Sequence, residues 1–259
     1  MVWSGTVRFW LGTHNPHWLG LTSVPLFISH RRLAPRHTYP RAIGEWALDS
    51  GGFTELSMYG EWRTSVEEYV DAVEEYSVLI GGLQWAAPMD WMCEPMMLER
   101  TGLSVREHQE RTVANFLELR DRGPFIPVLQ GQQLADYEVC MGLYEDAGVD
   151  LTAVPLVGLG TVCRRQQAPE IARIVNELAG AGVRMHGFGM KSLGLARVAH
   201  LLASADSMAW STGGRMSWMH KRERLCGGEH KGGCANCLPW ALRWRDRVID
   251  GCGVFAEVA

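Results

Sequence analysis

No stretch of this sequence approaches the eighteen or so apolar residues that a membrane-spanning helix needs. The opening MVWSGTVRFW lacks a basic start followed by an apolar core, so no secretory signal is read there and a cytoplasmic location is expected. Excess charge is also scarce. A net charge of -4 excludes a uniformly basic coat for nucleic acid. The seven cysteines are odd in number and three of them crowd one short stretch, which suits a metal site in a reducing compartment better than a disulfide framework. No linker, low-complexity segment or repeat divides the chain. No G-x-G-x-x-G opens a helix after a strand, and GFGMKSLG comes nearest, so an open dinucleotide-binding sheet has little support.

What is present is alternation. Eight short apolar runs read as strands: 7–12, 24–29, 45–52, 84–90, 125–131, 153–160, 184–190 and 206–211. Between several of them lie helical stripes. Val66, Tyr69, Val70, Val73, Tyr76 and Ile80 share one face, and Ser65 with Glu68 forms a capping box ahead of them. Ser104 and Glu107 repeat the device before 105–119, and Pro169 opens a third stripe of Ile171, Ile174, Val175 and Leu178. Weaker patterns cover 134–147 and 193–202, while the connection after VPLFIS shows no clear helix. Strands alternating with helices imply a parallel sheet, and eight of them imply a closed (β/α)8 barrel of the TIM type. Residues 1–259 are expected to form one catalytic barrel domain.

In such a barrel the C-terminal strand ends share one rim, and that rim carries the chemistry. Asp49, Asp90, Gln130, Gly158, Gly160 and His186 fall at or near such ends, and Asp206 opens the last predicted strand. One aspartate at a strand end is ordinarily a turn or helix cap. Three that converge with an amide suggest carboxylate chemistry: a nucleophile at a sugar carbon, a proton carrier, and a reader of a heterocycle's hydrogen-bonding edge. No strand carries H-x-H, which argues against a metal-dependent hydrolase rim.

A separate cluster, CGGEHKGGCANC, spaces Cys226, His230, Cys234 and Cys237 as C-x3-H-x3-C-x2-C. Four such ligands fill a tetrahedral zinc site and leave no open position for water, so the expected Zn2+ is structural. It belongs to a zinc-binding subdomain at about 215–250, with a short basic helix over about 238–250. Basic residues gather nearby and near the second strand. Between Arg215 and Arg247 eight Lys or Arg stand against three acids, and 30–41 holds four Arg and no acid. Arg31, Arg32, Arg215, Lys221, Arg222 and Lys231 are candidate contacts to a phosphate backbone. Cys93, Cys140 and Cys163 read as packed thiols, Cys252 as a C-terminal bystander, and Trp91 and Met92 as candidates to line a pocket beside Asp90.

The motifs LDSGGF (48–53), MDWMCEP (89–95), VLQG (128–131), VGLG (157–160), HGFG (186–189) and ADSMAWS (205–211) resemble, in this order, those of the tRNA-guanine transglycosylase superfamily. ALDSGGFTEL, VGLGTVCRRQ and SADSMAWS look closest to its deazapurine DNA-modification branch, found in phages and bacterial modification clusters. The resemblance implies exchange of guanine in DNA for a 7-deazaguanine, with tRNA as the alternative polymer and a non-catalytic zinc-bearing nucleic-acid binder as the remaining reading. It implies Asp206 as nucleophile at C1′ and Asp49 as general acid and base. Asp90 and Gln130, with the backbone of Gly158 and Leu159, would bind the base, beside Ser50 and Gly51. Phe53 and His186 would sandwich its ring. The glutamate with which bacterial tRNA enzymes read an aminomethyl group is replaced by TVCRR, which favours 7-cyano-7-deazaguanine (preQ0). A homodimer is a further expectation.

Overall fold

Each of the eight predicted apolar runs contributes a strand, and all pair in parallel in one sheet. The computed structural model describes residues 7–162, 169–190, 192–220, 224–228, 230 and 232–251. The strands are β1 (Arg8–Thr13), β2 (Leu26–Ser29), β3 (Trp46–Asp49), β4 (Leu83–Ala86), β5 (Val128–Leu129), β6 (Val157–Leu159), β7 (Met185–Gly187) and β8 (Ser204–Ser207). Their order is β4-β3-β2-β1-β8-β7-β6-β5, and the two ends of that list meet through a single bridge between Ala86 and Phe125. There the Ala86 amide donates to the Pro124 carbonyl at 2.9 Å and the Ile126 amide to the Ala86 carbonyl at 3.2 Å. The sheet therefore curls into a barrel that is thinnest between β4 and β5.

The period-2 alternation of a strand sorts the side chains. Phe9 and Leu11 of β1 join the layer between sheet and helices, while Trp10 joins Phe27, Ala47, Trp85 and Ile126 in a separate inner cluster. Rings from β2, β4 and β7 meet across this interior, with Trp85 and His186 centred 4.6 Å apart and Phe27 and His186 5.7 Å apart. An aromatic floor thus closes the barrel beneath the C-terminal rim.

Ten helices are found among the described residues: α1 (His30–Leu33), α2 (Gly52–Tyr59), α3 (Val66–Leu79), α4 (Pro95–Thr101), α5 (Val105–Leu119), α6 (Leu134–Asp146), α7 (Pro169–Gly180), α8 (Ser192–Val198), α9 (Ala209–Met219) and α10 (Leu238–Gly251). Both serine capping boxes form as the sequence predicts, each with the serine accepting the third-residue amide and the glutamate accepting the serine amide. Each such cap is worth about 1 kcal/mol of helix stability. The stripe of α7 is buried as expected.

Two expectations need correction. The last strand covers 204–207 rather than 206–211, and the apolar Met208–Trp210 that suggested an extended run starts a helix instead. The reason is tertiary: Trp210 is buried on Trp18, and its indole N–H reaches the Gly12 carbonyl at 2.8 Å. Asp206 is accordingly the third residue of β8, and not its first. After β2 the chain does make one helical turn, α1, whose four residues are too few to show a stripe.

Candidate active site

The strand ends bring Asp49, Asp90 and Asp206 to a rim cavity of about 260 Å³. Gly12, Thr13 and His14 wall it from the end of β1, Phe27 and Ser29 from β2, and Phe53 from the first turn of α2. Met92, Glu94, Gly160, Thr161, Phe188, Gly189 and Met208 complete most of the wall. LDSGGF makes its sharp turn because Gly51 takes φ +84°, and a Cβ there would stand 2.7 Å from the Arg31 side chain.

Asp206 is almost fully buried and its carboxylate is held on one side only. Oδ1 accepts the Gly189 amide at 2.7 Å and lies 3.3 Å from His186 Nε2. His186 Nδ1 lies 2.8 Å from the Ser204 hydroxyl. Among the described residues no donor reaches Oδ2. Burial pushes the His186 pKa down against the pull of Asp206, so the imidazole is neutral and carries one N–H. Oδ1 already accepts the Gly189 amide, which puts the ring hydrogen on Nε2 as a second donor to it and makes Nδ1 the acceptor of the Ser204 hydroxyl.

Asp90 is the head of a second chain. Its Oδ2 accepts the Gln130 amide at 2.6 Å and its Oδ1 faces the Ser50 hydroxyl at 3.4 Å. Gln130 Oε1 in turn accepts from Thr161 at 2.6 Å, and the Thr161 oxygen accepts the Cys93 amide at 2.9 Å. Thr161 is the one described non-glycine residue with positive φ, at 56°. That cost is consistent with a hydroxyl placed by tertiary bonds. Gly160 lets Gln130 lie directly on the chain, since a Cβ there would fall 2.6 Å from both Cδ and Oε1.

Burial raises the pKa of Asp90 to about 7, with the neighbouring Asp49 adding to the shift and Gln130 opposing it. Asp49 is likewise raised, by burial first and weakly by Asp206, while Ser29 and the Gly51 amide pull the other way. Burial and a neighbouring carboxylate thus raise both Asp90 and Asp49 at this cavity.

The sequence-predicted residues divide between wall and support. Asp49, Phe53, Asp90 and Asp206 line the cavity. Gln130 is fully buried behind Asp90, and Ser50 is buried beside it. Gly158 lies in β6, where a Cβ would meet Phe188 at 2.5 Å, and Leu159 faces the outer core. His186 sits beneath Asp206 on the aromatic floor, and Phe188 occupies the wall that was expected of it. Met92 lines the cavity, whereas Trp91 packs on His108. Thr13, His14, Glu94, Thr161 and Met208 were not anticipated; only their positions at a strand end, or up to eight residues past one, could have suggested them.

The basic candidates also separate. Arg31 is tied to the buried Glu55, which accepts the Arg63 amide as well. Arg32 and Arg215 are exposed and flank His14, whose pKa falls through burial and then through these two cations. β8, β1 and β2 are neighbours, so this positive arc lies at one edge of the cavity mouth. Lys221, Arg222 and Lys231 lie outside the described residues, as do Cys163, Arg164, Arg165, Lys191 and Cys252.

A candidate metal centre lies beyond α9. The ligand atoms of Cys226, His230, Cys234 and Cys237 all fall within 4.8 Å of one another. Cys226 Sγ is 3.2 Å and Cys234 Sγ 3.7 Å from His230 Nε2, close to the ~3.5 Å edge that a tetrahedron with zinc-like bond lengths requires. The Gly228 amide, 3.4 Å from Cys226 Sγ, helps to pull that thiol down to about 6. The four residues are therefore placed to hold a metal ion, and thiolate with imidazole is a donor set that suits Zn2+. The site is joined to the rim. Gly214 admits the Cys234 turn against α9, Ser211 donates to the Ala235 carbonyl at 2.8 Å, and Trp240 donates to the Trp210 carbonyl at 2.9 Å. Trp210 then reaches Gly12 on the cavity wall. No described helix is long and apolar enough to cross a membrane.

Comparison with known proteins gives one family. The model described as DpdA, DeoxyPurine in DNA protein A, matches residues 6–258. No curated protein matches the chain.

Proposed function

The chain belongs to that family, the DNA-guanine transglycosylase branch of the tRNA-guanine transglycosylase superfamily, and we propose that it exchanges guanine in DNA for 7-cyano-7-deazaguanine through a covalent Asp206–glycosyl intermediate. The observation that carries the reading is the convergence of Asp49, Asp90 and Asp206 on one cavity, with Asp206 anchored through a single oxygen.

In the first displacement a carboxylate oxygen of Asp206 bonds to C1′ and the glycosidic bond breaks toward the base. Asp49 supplies the proton that the departing guanine needs, a task suited to a carboxyl whose pKa is raised by burial. In the second, Asp49 takes the N9 proton of the incoming deazaguanine, N9 bonds to C1′ and the ester breaks. Two displacements return the original anomer. Asp90 accepts from the N–H groups of the base's pyrimidine edge, while Gln130 and Thr161 keep its carboxylate in place. Phe53 and Phe188, on different chain segments of the wall, are two of its aromatic side chains and would stack on the ring.

A base must leave the helix to enter so enclosed a site. Arg32 and Arg215, near enough to His14 to lower its pKa, would hold the phosphates of that extruded nucleotide. The metal is zinc, held by Cys226, His230, Cys234 and Cys237, and its role is structural, fixing α9 and α10 behind the nucleophile strand.

Nucleoside mass spectrometry of DNA from cells supplied with this protein and the deazaguanine precursor tests the proposal. Deazaguanine in DNA supports it; modified tRNA with unmodified DNA overturns the choice of polymer.

A further inference from the structure

His186 was expected at the base, yet it lies under the nucleophile, fully buried and off the cavity wall. Its two ring nitrogens are both engaged, Nδ1 at 2.8 Å from Ser204 Oγ and Nε2 at 3.3 Å from Asp206 Oδ1. The second partner of Oδ1 is the Gly189 amide at 2.7 Å, from the same HGFG turn. The Asp206 backbone is pinned as well, since its carbonyl accepts the Met190 amide at 2.8 Å. One turn thus fixes both the main chain and one carboxylate oxygen of the residue. Trp85, Phe27 and Phe188 pack around the imidazole, and among the described residues it has no other hydrogen-bond partner.

We propose that His186 is a positioning residue that, with Gly189, reserves Oδ1 of Asp206 as the charge-bearing oxygen and so makes Oδ2 the attacking atom. This rests on the reading of Asp206 as the covalent nucleophile.

The two half-reactions feel these donors oppositely. In the first, Oδ2 forms its bond to C1′, the electron pair of the glycosidic bond goes to the departing base, and Asp49 protonates it. The carboxylate becomes an ester, Oδ1 becomes its carbonyl oxygen, and the hydrogen bonds to it weaken. In the second, N9 of the incoming base gives its proton to Asp49 and its electron pair to C1′. The C1′–Oδ2 bond breaks, its pair returns to Asp206, and resonance delivers the charge to Oδ1. Donors already aimed at Oδ1 stabilise that developing charge without reorganisation. They make the aspartate a good leaving group and keep the intermediate from accumulating. The Ser204 hydroxyl, donating to Nδ1, fixes the tautomer in which Nε2 carries the hydrogen.

Removing the donor should therefore trap the enzyme in its esterified form. The test is an acid-quenched reaction with a labelled guanine-containing oligonucleotide, in which the covalently bound fraction and the rate of guanine exchange are read together. His186→Leu should raise the ratio of adduct to free enzyme by roughly 10–100-fold, the range for losing one hydrogen bond to a charged group. His186→Gln, whose amide can donate from a similar position, should bring the ratio back toward wild type. Should the leucine variant not fold, Ser204→Ala carries the test, with a rise of a few-fold expected from the loosened tautomer. A fall in exchange at an unchanged adduct ratio, or equal ratios in the Leu and Gln variants, overturns the role for His186 and leaves Asp206 as nucleophile. Exchange by the wild type with no adduct at any time removes the covalent reading, and this inference with it.

Discussion

Replacing Gly160 by alanine tests whether the Asp90–Gln130–Thr161 chain is as tightly set as the structure has it. A Cβ on residue 160 would stand 2.6 Å from Cδ and Oε1 of Gln130, closer than non-bonded atoms approach. Gln130 has nowhere to go. Its amide is bound to Asp90 at 2.6 Å, its carbonyl oxygen to Thr161 at 2.6 Å, and its main chain to Gln109 at 2.8 Å. Relief of the clash must break both side-chain bonds. One is to a carboxylate and one to a hydroxyl, both buried, so the loss sums to about 2–4 kcal/mol. For a chain of this size that corresponds to a fall in Tm of roughly 5–15 °C. Asp90, freed from its partner, should also bind the base less well, so KM for the base should rise more than KM for DNA. Thermal unfolding and exchange kinetics read the two effects. Gly142→Ala in α6, where a Cβ meets nothing, is the control and should be neutral or stabilising by up to about 1 kcal/mol. If Gly160→Ala melts with the wild type and keeps its KM for the base, the chain is not the support described here.

Three further expectations concern proton, metal and phosphate. Because the folded-state pKa of Asp90 is raised to about 7, the native protein keeps a proton there that the unfolded chain has lost above about pH 4. Stability should therefore fall as pH rises across that window, and Asp90→Asn should flatten the slope. Base binding, which needs the ionised form, should rise through the same range, so kcat/KM for the base gains an acid limb near 7 that the variant loses; an unaltered limb would assign it elsewhere. Elemental analysis should find one zinc per chain, and Cys234→Ser should cost about 3 kcal/mol or more, lowering Tm by roughly 6–12 °C; a metal-free protein of unchanged stability would contradict a structural zinc. Alanine at both Arg32 and Arg215 should lower the dependence of log K for DNA on log salt by about two, one for each phosphate contact. An unchanged slope would move the DNA path to another part of the rim.

How far the sequence discloses this site depends on which interactions set each part. The capping boxes at Ser65 and Ser104 depend on residues three apart, so they are legible and form as written. The rim aspartates are legible for a similar reason, because a strand end is marked by its own apolar run. The start of α9 is not, since Met208, Ala209 and Trp210 suit either state locally, and the contact of Trp210 with Gly12, far away in the chain, decides between them. His186 shows a subtler limit. Its place in β7 points it into the barrel, but whether it meets a base or Asp206 depends on the depth of the aromatic floor, built from three other strands. The cavity wall past β6 depends on a positive φ at Thr161, which a threonine does not advertise. The four candidate metal ligands lie within twelve residues, and there spacing alone discloses that they come together.

The central claim is that Asp206 forms a covalent bond to the sugar of a DNA guanosine. Denaturing electrophoresis of the acid-quenched enzyme with a labelled oligonucleotide, followed by peptide mapping, tests it directly. An adduct is expected on the peptide that carries Asp206, absent in Asp206→Asn and chased by added deazaguanine base. An adduct that persists in Asp206→Asn, or base exchange in that variant at the wild-type rate, would contradict it.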